Sequence, residues 1–304
     1  MQKNERIYPV NFQLDRISMV GSMDDVRWTD LVLSGGLTTS KVMLSKTFQY
    51  DNSILVKSPV ENEDWSIHVS WEGHRKKTKG ELPKARIEFN PKYMELESMR
   101  DTLSLLATVF KISHVTRLDV AIDYQYDILN KIQFIDQNSR RKSVLFKRAL
   151  GVLETIYFGT RKSRIQVVFY DKIAQIAESE FGDTMCKTDP DKDYQRCEVR
   201  FNSREGVEKF FDDINPFDKL VATEGFDVAR AIKDLDDNTL NKLLIKTVNK
   251  GVFEGMITGK KARAKYNKLF VDYQLEPPID FYEDFRQAKD PIQEQINQIQ
   301  KLFK

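Results

Sequence analysis

The segment that most constrains the fold of this 304-residue chain spans residues 115–124, Val-Thr-Arg-Leu-Asp-Val-Ala-Ile-Asp-Tyr. A β-strand turns successive side chains to opposite faces, so an alternation with a period of two identifies both a strand and its faces. The apolar face carries Leu118, Val120 and Ile122, and the polar face carries Arg117, Asp119, Ala121 and Asp123. The sequence therefore predicts a strand that packs on a core with one side and displays two carboxylates on the other.

These two carboxylates need an explanation, because an interior carboxylate is costly unless it is paired with a cation or bound to a metal. An antiparallel strand with a solvated outer face is the simplest explanation, and residues 115–124 alone are compatible with it. Three further segments with the same alternation favour instead a polar face that several strands share.

Each of the three further segments adds polar groups to such a face. Glu88 lies between Ile87 and Phe89, and Glu198 lies between Cys197 and Val199. Tyr170 and Lys172 are two positions apart, so they become neighbours on one side of their strand. If the four strands belong to one sheet with their polar faces aligned, one surface collects all of these groups.

Such a surface suits phosphoryl transfer. Three or so carboxylates close together fit a hard divalent cation such as Mg²⁺ or Mn²⁺, which prefers oxygen ligands. The metal and a lysine neutralise a phosphate, and a tyrosine oxygen attacks its phosphorus. Tyr170 is therefore a candidate nucleophile, with Lys172 or Arg117 offsetting charge on the phosphate. Simple cross-strand packing would also account for a tyrosine at a strand end.

Five motifs follow one another along the chain. They are Arg-Ile-Glu-Phe-Asn-Pro (86–91), Thr-Arg-Leu-Asp-Val-Ala-Ile-Asp (116–123), Tyr-Phe-Gly-Thr-Arg (157–161), Val-Phe-Tyr-Asp-Lys (168–172) and Arg-Cys-Glu-Val-Arg-Phe (196–201). Their order resembles the plasmid rolling-circle replication initiators of the Rep_trans family, whose relatives include relaxases of some integrative conjugative elements. The segment at 15–21, Asp-Arg-Ile-Ser-Met-Val-Gly, is also similar to that family's opening strand.

The resemblance implies a metal-dependent tyrosine DNA endonuclease and strand transferase. In that family the tyrosine of the Tyr-x-Lys motif, here Tyr170, nicks the double-strand origin. It becomes joined to the 5′ phosphate and leaves a 3′ hydroxyl that primes synthesis. Since the bond energy is kept in the phosphotyrosine, the nick can be resealed without a nucleotide cofactor, as in a topoisomerase.

The predicted metal ligands are acidic. The related HUH endonucleases hold their metal with paired histidines, whereas the three histidines of this chain, at positions 68, 74 and 114, are not spaced as such a pair. The acidic positions of the motifs would take their place around Mg²⁺ or Mn²⁺. Glu88 and Asp119 are the first choices, Asp123 is the next, and Glu198 is the weakest.

The expected fold class is α+β: a mainly antiparallel sheet, the HUH-related palm that the resemblance implies, with helices on one face and a helical C-terminal region. Helices are predicted over residues 93–111 and 127–138. The strand pattern gives way to helical periodicity after about residue 204. We expect a catalytic nicking and strand-transfer domain at residues 1–204 and a helical region with an origin-recognition element at residues 205–304.

A basic segment within the C-terminal region is a candidate DNA contact. Five cations without an acidic residue suit phosphate contacts in a groove, and Tyr266 among them suits base contacts. The resemblance favours this role, because the family keeps its origin-recognition determinant in the corresponding region. A solvated basic helix face fits the pattern too, and the basic connection at residues 74–80 is equally ambiguous. The five cations are Lys260, Lys261, Arg263, Lys265 and Lys268.

Composition alone does not indicate a nucleic-acid partner, since 48 lysines and arginines against 46 aspartates and glutamates give a net charge of only +2. Cys186 and Cys197 fit a reducing compartment better than a disulfide scaffold. The sequence contains no apolar run of membrane-spanning length and its first residues are not typical of a signal peptide. A cytoplasmic protein without a membrane partner is therefore expected.

The expected partner is plasmid origin DNA, first as a duplex and then as an extruded single strand. The resemblance also implies a homodimer and a host helicase. A conjugative relaxase with the same chemistry stays open, although the first strand of the catalytic region begins almost at once, which favours the plasmid initiator. A non-catalytic DNA-binding regulator and a metal-dependent nuclease that uses water also fit the sequence.

Overall fold

The computed structural model describes residues 5–40, 43–44, 50–73, 84–138, 140–148, 152–178, 194–248, 253 and 255–303. The basic connection at residues 74–80 and Cys186 lie outside the described residues.

A ten-stranded antiparallel sheet dominates the described part of the chain. In sheet order its strands are β2 (Met43–Leu44), β3 (Tyr50–Lys57), β4 (Ser66–Gly73), β5 (Lys84–Phe89), β1 (Asn11–Met23), β6 (Phe110–Tyr124), β11 (Gln195–Asn202), β10 (Ile165–Asp171), β9 (Leu153–Phe158) and β8 (Ser143–Lys147). The two longest strands, β1 and β6, lie side by side near the middle, and the strand with Tyr170 follows two places beyond β6.

Helices connect or follow the strands of this sheet in the described part of the chain. The helices are α1 (Asp25–Leu33), α2 (Glu97–Val109), α3 (Ile128–Lys131), α4 (Lys172–Glu178), α5 (Arg204–Phe211), α6 (Val228–Asp234), α7 (Asp237–Val248), α8 (Lys260–Asp272) and α9 (Phe281–Leu302). A 3₁₀ helix, Pro91–Glu95, precedes α2. None of the helices in the described part of the chain is long and apolar enough to cross a membrane.

The main core lies between the apolar sheet face and helices α2, α5 and α9. The strand pattern of residues 115–124 is confirmed, because Leu118, Val120 and Ile122 are fully buried in this core. Helix α9 contributes a stripe at helical spacing that includes Ile292 and Ile296. Together with the antiparallel sheet, this packing confirms the predicted α+β class with helices on one face.

A second, smaller core forms among residues of the C-terminal third. Helices α6, α7 and α8 surround it, and the short strands β13 (Gly225–Phe226) and β14 (Gln274–Leu275) pair beside it. Helices α5 and α9, although they also follow residue 204, pack into the main core instead.

The predicted helix at residues 127–138 is wrong over most of its length. Only α3 is helical, and the chain then extends as β7 (Gln133–Asp136), which pairs with β12 (Leu220–Thr223). Phe134 on β7 stacks on Phe169, with 4.3 Å between the ring centroids. This long-range packing and pairing override the local helical pattern.

Gly21 marks a close approach between the two central strands. A Cβ placed there would lie 1.9 Å from the carbonyl oxygen of Lys111, an atom of the β6 backbone that cannot swing away. The register between β1 and β6 also shifts between Val20 and Gly21, as expected at a β-bulge. The residue is thus a steric requirement of the central strand pair.

We expect Gly21→Ala to lower the free energy of unfolding by about 1–3 kcal/mol, because the backbone of β6 must move to admit the methyl group. Urea denaturation followed by circular dichroism measures this change. Gly255→Ala is the matched control, since none of the described residues lies within 4 Å of a Cβ at that position. Equal stability of the two variants would contradict the close approach.

Candidate active site on the polar face of the sheet

Strands β1, β6, β11 and β10 bring the predicted polar groups onto one face. Asp119 on β6 is the register partner of Arg200 on β11, and Asp123 is the partner of Arg196. Arg196 is in turn the partner of Tyr170 on β10. Since partners in adjacent strands project to the same side, the carboxylates, the arginines and the tyrosine share one surface.

A polar cavity of about 400 Å³ opens on this surface. Five of the residues predicted from the sequence line it, namely Arg117, Asp119, Tyr170, Lys172 and Glu198. The complete lining is Asp15, Arg16, Arg117, Asp119, Arg161, Gln166, Tyr170, Lys172, Gln175, Glu198, Arg200 and Asn202. The structure thus collects residues from positions 15 to 202 around one space large enough for a small polar ligand.

Tyr170 is held by Glu198. Its hydroxyl donates a hydrogen bond of 3.0 Å to Glu198 Oε2, and its side chain is 6% exposed. Burial, with the added effect of the Glu198 carboxylate, raises the pKa of Tyr170 well above its usual range. The neutral phenol is therefore the resting form, and Glu198 is the group positioned to accept its proton.

Asp119 is paired with an arginine yet retains an unusual affinity for protons. Arg117 donates two hydrogen bonds to it, of 2.8 and 2.6 Å. Burial and the nearby Glu198 carboxylate nevertheless raise the pKa of Asp119 to about 6. A like charge nearby in a poorly solvated space disfavours ionisation, so the Glu198 carboxylate adds to the effect of burial on Asp119.

Asp123, in contrast, forms a buried ion pair with Arg196. Arg196 donates two hydrogen bonds to it, of 2.5 and 2.9 Å, and Tyr194 donates a third of 3.0 Å. Asp123 has no exposed surface and does not line the cavity. Arg196 also contacts Asp15 at 3.2 Å, so this network holds the arginine next to Tyr170 on the neighbouring strand.

Glu88 lies outside the cavity as well. It forms a salt bridge with Arg86 on its own strand and lies 3.5 Å from Arg16 on the neighbouring strand β1. Burial raises the pKa of Glu88, but Arg86, Arg16 and Arg117 outweigh that effect and keep it below its ordinary value. Glu88 is thus held as a carboxylate by arginines.

The structure consequently does not gather Glu88, Asp119 and Asp123 into one metal site. No group of three or more acidic, histidine or cysteine side chains suited to a metal occurs among the residues that the structure describes. The pair that fits a cation is Asp119 and Glu198, because a cation between them would relieve their mutual repulsion. Mg²⁺ is commonly bound by one or two carboxylates together with substrate phosphates, which this pair matches.

The cavity has a surplus of positive charge, since three carboxylates face five cationic side chains. Arg117 and Arg200 are paired with Asp119 and Glu198. Lys172 donates a hydrogen bond to Gln175, and neither Lys172 nor Arg161 forms an ion pair within the described part of the chain. These two cations are therefore available to an anionic ligand.

The basic segment of the C-terminal region is helix α8. Lys261, Lys265 and Lys268 are exposed and recur at helical spacing, so they form one stripe. Arg263 is partly occupied, donating a hydrogen bond of 2.6 Å to the carbonyl oxygen of Ile257. The side chain of Lys260 lies outside the described residues.

Tyr266 does not belong to the exposed stripe of α8. It is 8% exposed and packs edge-on against Phe253, with 5.7 Å between the ring centroids. The expectation that Tyr266 contacts DNA bases is therefore wrong, because the ring belongs to the second core.

The sequence patterns rank Glu198 as the weakest of the acidic candidates, and they do not predict that Arg16, Arg200 and Asp15 line the cavity. Alternation places Glu198 on the polar face, but only the strand order shows that it, and not Asp123, lies beside Tyr170. Arg16 and Arg200 flank Asp119 as its register partners on β1 and β11. Such cross-strand neighbours have no local signal in the sequence.

Comparison with known proteins gives a partial match. No family model matches the chain. A replication initiation protein of Staphylococcus aureus is 33% identical over 87 residues, which are 29% of this chain and 27% of the relative's length. The predicted resemblance to replication initiators is thus confirmed by this relative. A rolling circle replication initiator protein from Geobacillus stearothermophilus aligns over 93% of this chain and 98% of its own, at 16% identity and a TM-score of 0.41, which is too low to establish a common fold.

The acidic pair yields a test by titration. We expect Asp119 to titrate near pH 6, and Glu198→Gln to lower its pKa by removing the neighbouring charge. Because the folded protein binds this proton more tightly than the unfolded chain, the group's contribution to stability is complete below about pH 4 and is lost as the pH rises through about 6.

Carbon-13 NMR of aspartate carboxyls measures the pKa directly, and Asp119→Asn identifies the resonance. Glu205→Gln serves as the control, since Glu205 pairs with Arg164 on the surface and does not line the cavity. An Asp119 resonance that titrates near the ordinary value of about 4 would show that burial and the Glu198 charge do not raise its pKa.

Proposed function

We propose that this protein is a rolling-circle replication initiator that nicks and rejoins DNA at a plasmid origin through a phosphotyrosine intermediate. The observation that carries the proposal is the Tyr170 hydroxyl, hydrogen-bonded to Glu198 at 3.0 Å in a cavity with surplus positive charge. The sequence match to a replication initiation protein supports the biological setting.

The nucleophile needs a base, because its raised pKa keeps Tyr170 protonated at neutral pH. In the proposed step the Tyr170 oxygen attacks phosphorus as its proton passes to the Glu198 carboxylate. The bond between phosphorus and the 3′ oxygen breaks, and the 5′ phosphate becomes joined to the tyrosine. The number of phosphoester bonds is unchanged, so the reverse reaction reseals the strand.

The leaving 3′ oxygen requires a proton. Burial, together with the nearby charge of Arg196, lowers the pKa of Lys172, which makes its ammonium a better acid than an exposed lysine. We assign Lys172 to this proton transfer, and Arg117 and Arg161 to the phosphate oxygens. These interactions act where negative charge develops, which is the main source of stabilisation in such reactions.

A divalent metal, Mg²⁺ or Mn²⁺, fits the proposal at Asp119 and Glu198. When bound it would supply positive charge to the scissile phosphate. Asp123 is assigned instead to holding Arg196, and Glu88 to the ion pairs around Arg86, which replaces their predicted role as ligands.

Removal of the nucleophilic oxygen gives the first test. We expect Tyr170→Phe to abolish nicking while DNA binding is kept, because the ring still fills its place. The assay uses purified protein, Mg²⁺ or Mn²⁺, and a supercoiled plasmid that carries this gene and its upstream DNA, analysed with and without protease. Wild-type protein should give open circles with a protein-linked 5′ end that maps to Tyr170.

Tyr93→Phe is the matched control, because Tyr93 does not line the cavity and the same hydroxyl is removed. Nicking by Tyr170→Phe would assign the reaction to water or to another residue. DNA that is bound but never cut, as plasmid or as single-stranded oligonucleotide, would favour the non-catalytic regulator.

We also propose that α8 docks the protein on duplex DNA through its exposed lysine stripe. Lys261→Ala combined with Lys265→Ala removes two cations at i and i+4. We expect weaker duplex binding at all sequences, and a slope of log affinity against log salt that is smaller by about 2. Covalent joining to a single-stranded oligonucleotide should be nearly unchanged.

Fluorescence anisotropy with a labelled origin duplex at several salt concentrations measures this slope. The combined Lys57→Ala and Lys301→Ala variant carries the same change in net charge at exposed positions away from α8. A similar loss in both variants would indicate general attraction to the protein and remove α8 as the docking element.

A further inference from the structure

Strand β8 forms one edge of the large sheet and exposes apolar side chains. Within the described part of the chain it pairs with β9 alone. Val144, Leu145 and Phe146 are 46%, 57% and 54% exposed. Consecutive exposed apolar residues on a free edge are a liability that soluble proteins usually avoid, so their presence here calls for a function.

Phe146 lies on the same face as the candidate active site. Its register partner on β9 is Thr155, and Thr155 is the partner of Tyr170 on β10. Two strand spacings therefore separate Phe146 from Tyr170, a distance of about 10 Å. Leu145 alternates with Phe146 and so projects to the opposite face of the sheet.

A chain of contacts links this edge to the cavity. The ring of Phe146 packs edge-on against Tyr157, with 5.6 Å between the centroids, and the guanidinium of Arg200 lies 5.9 Å from the Tyr157 ring. Arg200 lines the cavity and binds Glu198 at 2.6 Å, next to Tyr170. These contacts connect the edge of the sheet to Tyr170 through Tyr157, Arg200 and Glu198.

The charges around β8 indicate what kind of molecule binds at this edge of the sheet. No acidic residue occurs between positions 137 and 153, whereas Lys142 and Lys147 flank the apolar residues and form no ion pair within the described part of the chain. Antiparallel pairing of β8 with a second copy would bring these basic flanks together, which is unfavourable. A polyanion with exposed apolar faces would contact both the lysines and the apolar side chains of β8.

We propose that Val144, Phe146 and Tyr157 form a stacking platform for unpaired bases of the single strand whose scissile phosphate enters the cavity. Aromatic rings and neighbouring cations are the usual means of binding single-stranded nucleic acid without sequence preference. The inference rests on the proposed function, because it assigns a path to that substrate. The bases a few nucleotides from the scissile phosphate stack on Phe146, and Lys142 and Lys147 contact their phosphates.

The test measures binding separately from chemistry. In the Tyr170→Phe background, anisotropy of a labelled oligothymidine should show at least about fivefold weaker binding for Phe146→Ala. Phe146→Trp should restore it, and binding of a duplex without single-stranded ends should not change. Leu145→Ala is the matched control, since it removes a similar exposed side chain from the opposite face and should bind as before.

Equal affinities for Phe146→Ala and Leu145→Ala would overturn the platform. Sedimentation of the same variants tests whether a second copy of the chain binds at β8. If wild-type protein is a dimer and both Phe146→Ala and Leu145→Ala are monomers, β8 is a dimer interface, and this result would also overturn the platform. With Tyr170 restored, Phe146→Ala should need a higher oligonucleotide concentration than wild-type protein to form the covalent adduct. If wild-type protein forms no adduct while Phe146 still governs single-strand affinity, the proposed chemistry fails and the platform stands.

Discussion

The pairing of buried carboxylates with arginines on the polar face of the sheet is the constraint on which the structure depends. Asp119, Asp123 and Glu198 are each 2% exposed or less, and each accepts a hydrogen bond of 2.6 Å or shorter from an arginine. Removing one partner of such a pair typically costs about 3–5 kcal/mol, because a charge is left buried without compensation. A shift of one residue between β6 and β11 would also turn these charges into the core, so the ion pairs and the apolar face fix the same register.

The same pairing decides which charges remain for a substrate. Arg117 and Arg200 share their charge with Asp119 and Glu198, whereas Lys172 and Arg161 form no ion pair in the described part of the chain. Burial, with the added effect of the nearby Glu198 carboxylate, raises the pKa of Asp119. One cavity therefore offers a proton acceptor, a proton donor and a place for a cation, which are the separate requirements of the proposed phosphoryl transfer.

Alternation within single strands makes much of the site predictable. It places Arg117, Asp119, Tyr170 and Lys172 on polar faces, and all four line the cavity. It does not distinguish Asp123 from Glu198, because both lie on polar faces and only the order β6, β11, β10 decides which is beside Tyr170. Strand order is a long-range property, as is the packing of Tyr266 in the second core and of β7 against β12. Local patterns do not specify such contacts, which explains why alternation groups Glu88 and Asp123 with Asp119, why Tyr266 is grouped with the cations of α8, and why a helix is predicted over residues 127–138.

The burial of Tyr170 places a condition on any substrate of the proposed reaction. Its hydroxyl is reached through a cavity of about 400 Å³, near the lower end of the range of about 300–1,000 Å³ for small-molecule sites. A phosphate with its attached sugars can enter such a space, whereas a base pair held in a duplex cannot follow it. Strand separation must therefore precede attack, as it does for enzymes that take a base out of the stack. This order explains why duplex docking and single-strand chemistry are assigned to different surfaces. The proposed docking on the lysine stripe of α8 uses paired DNA, and the proposed chemistry on the sheet uses a separated strand.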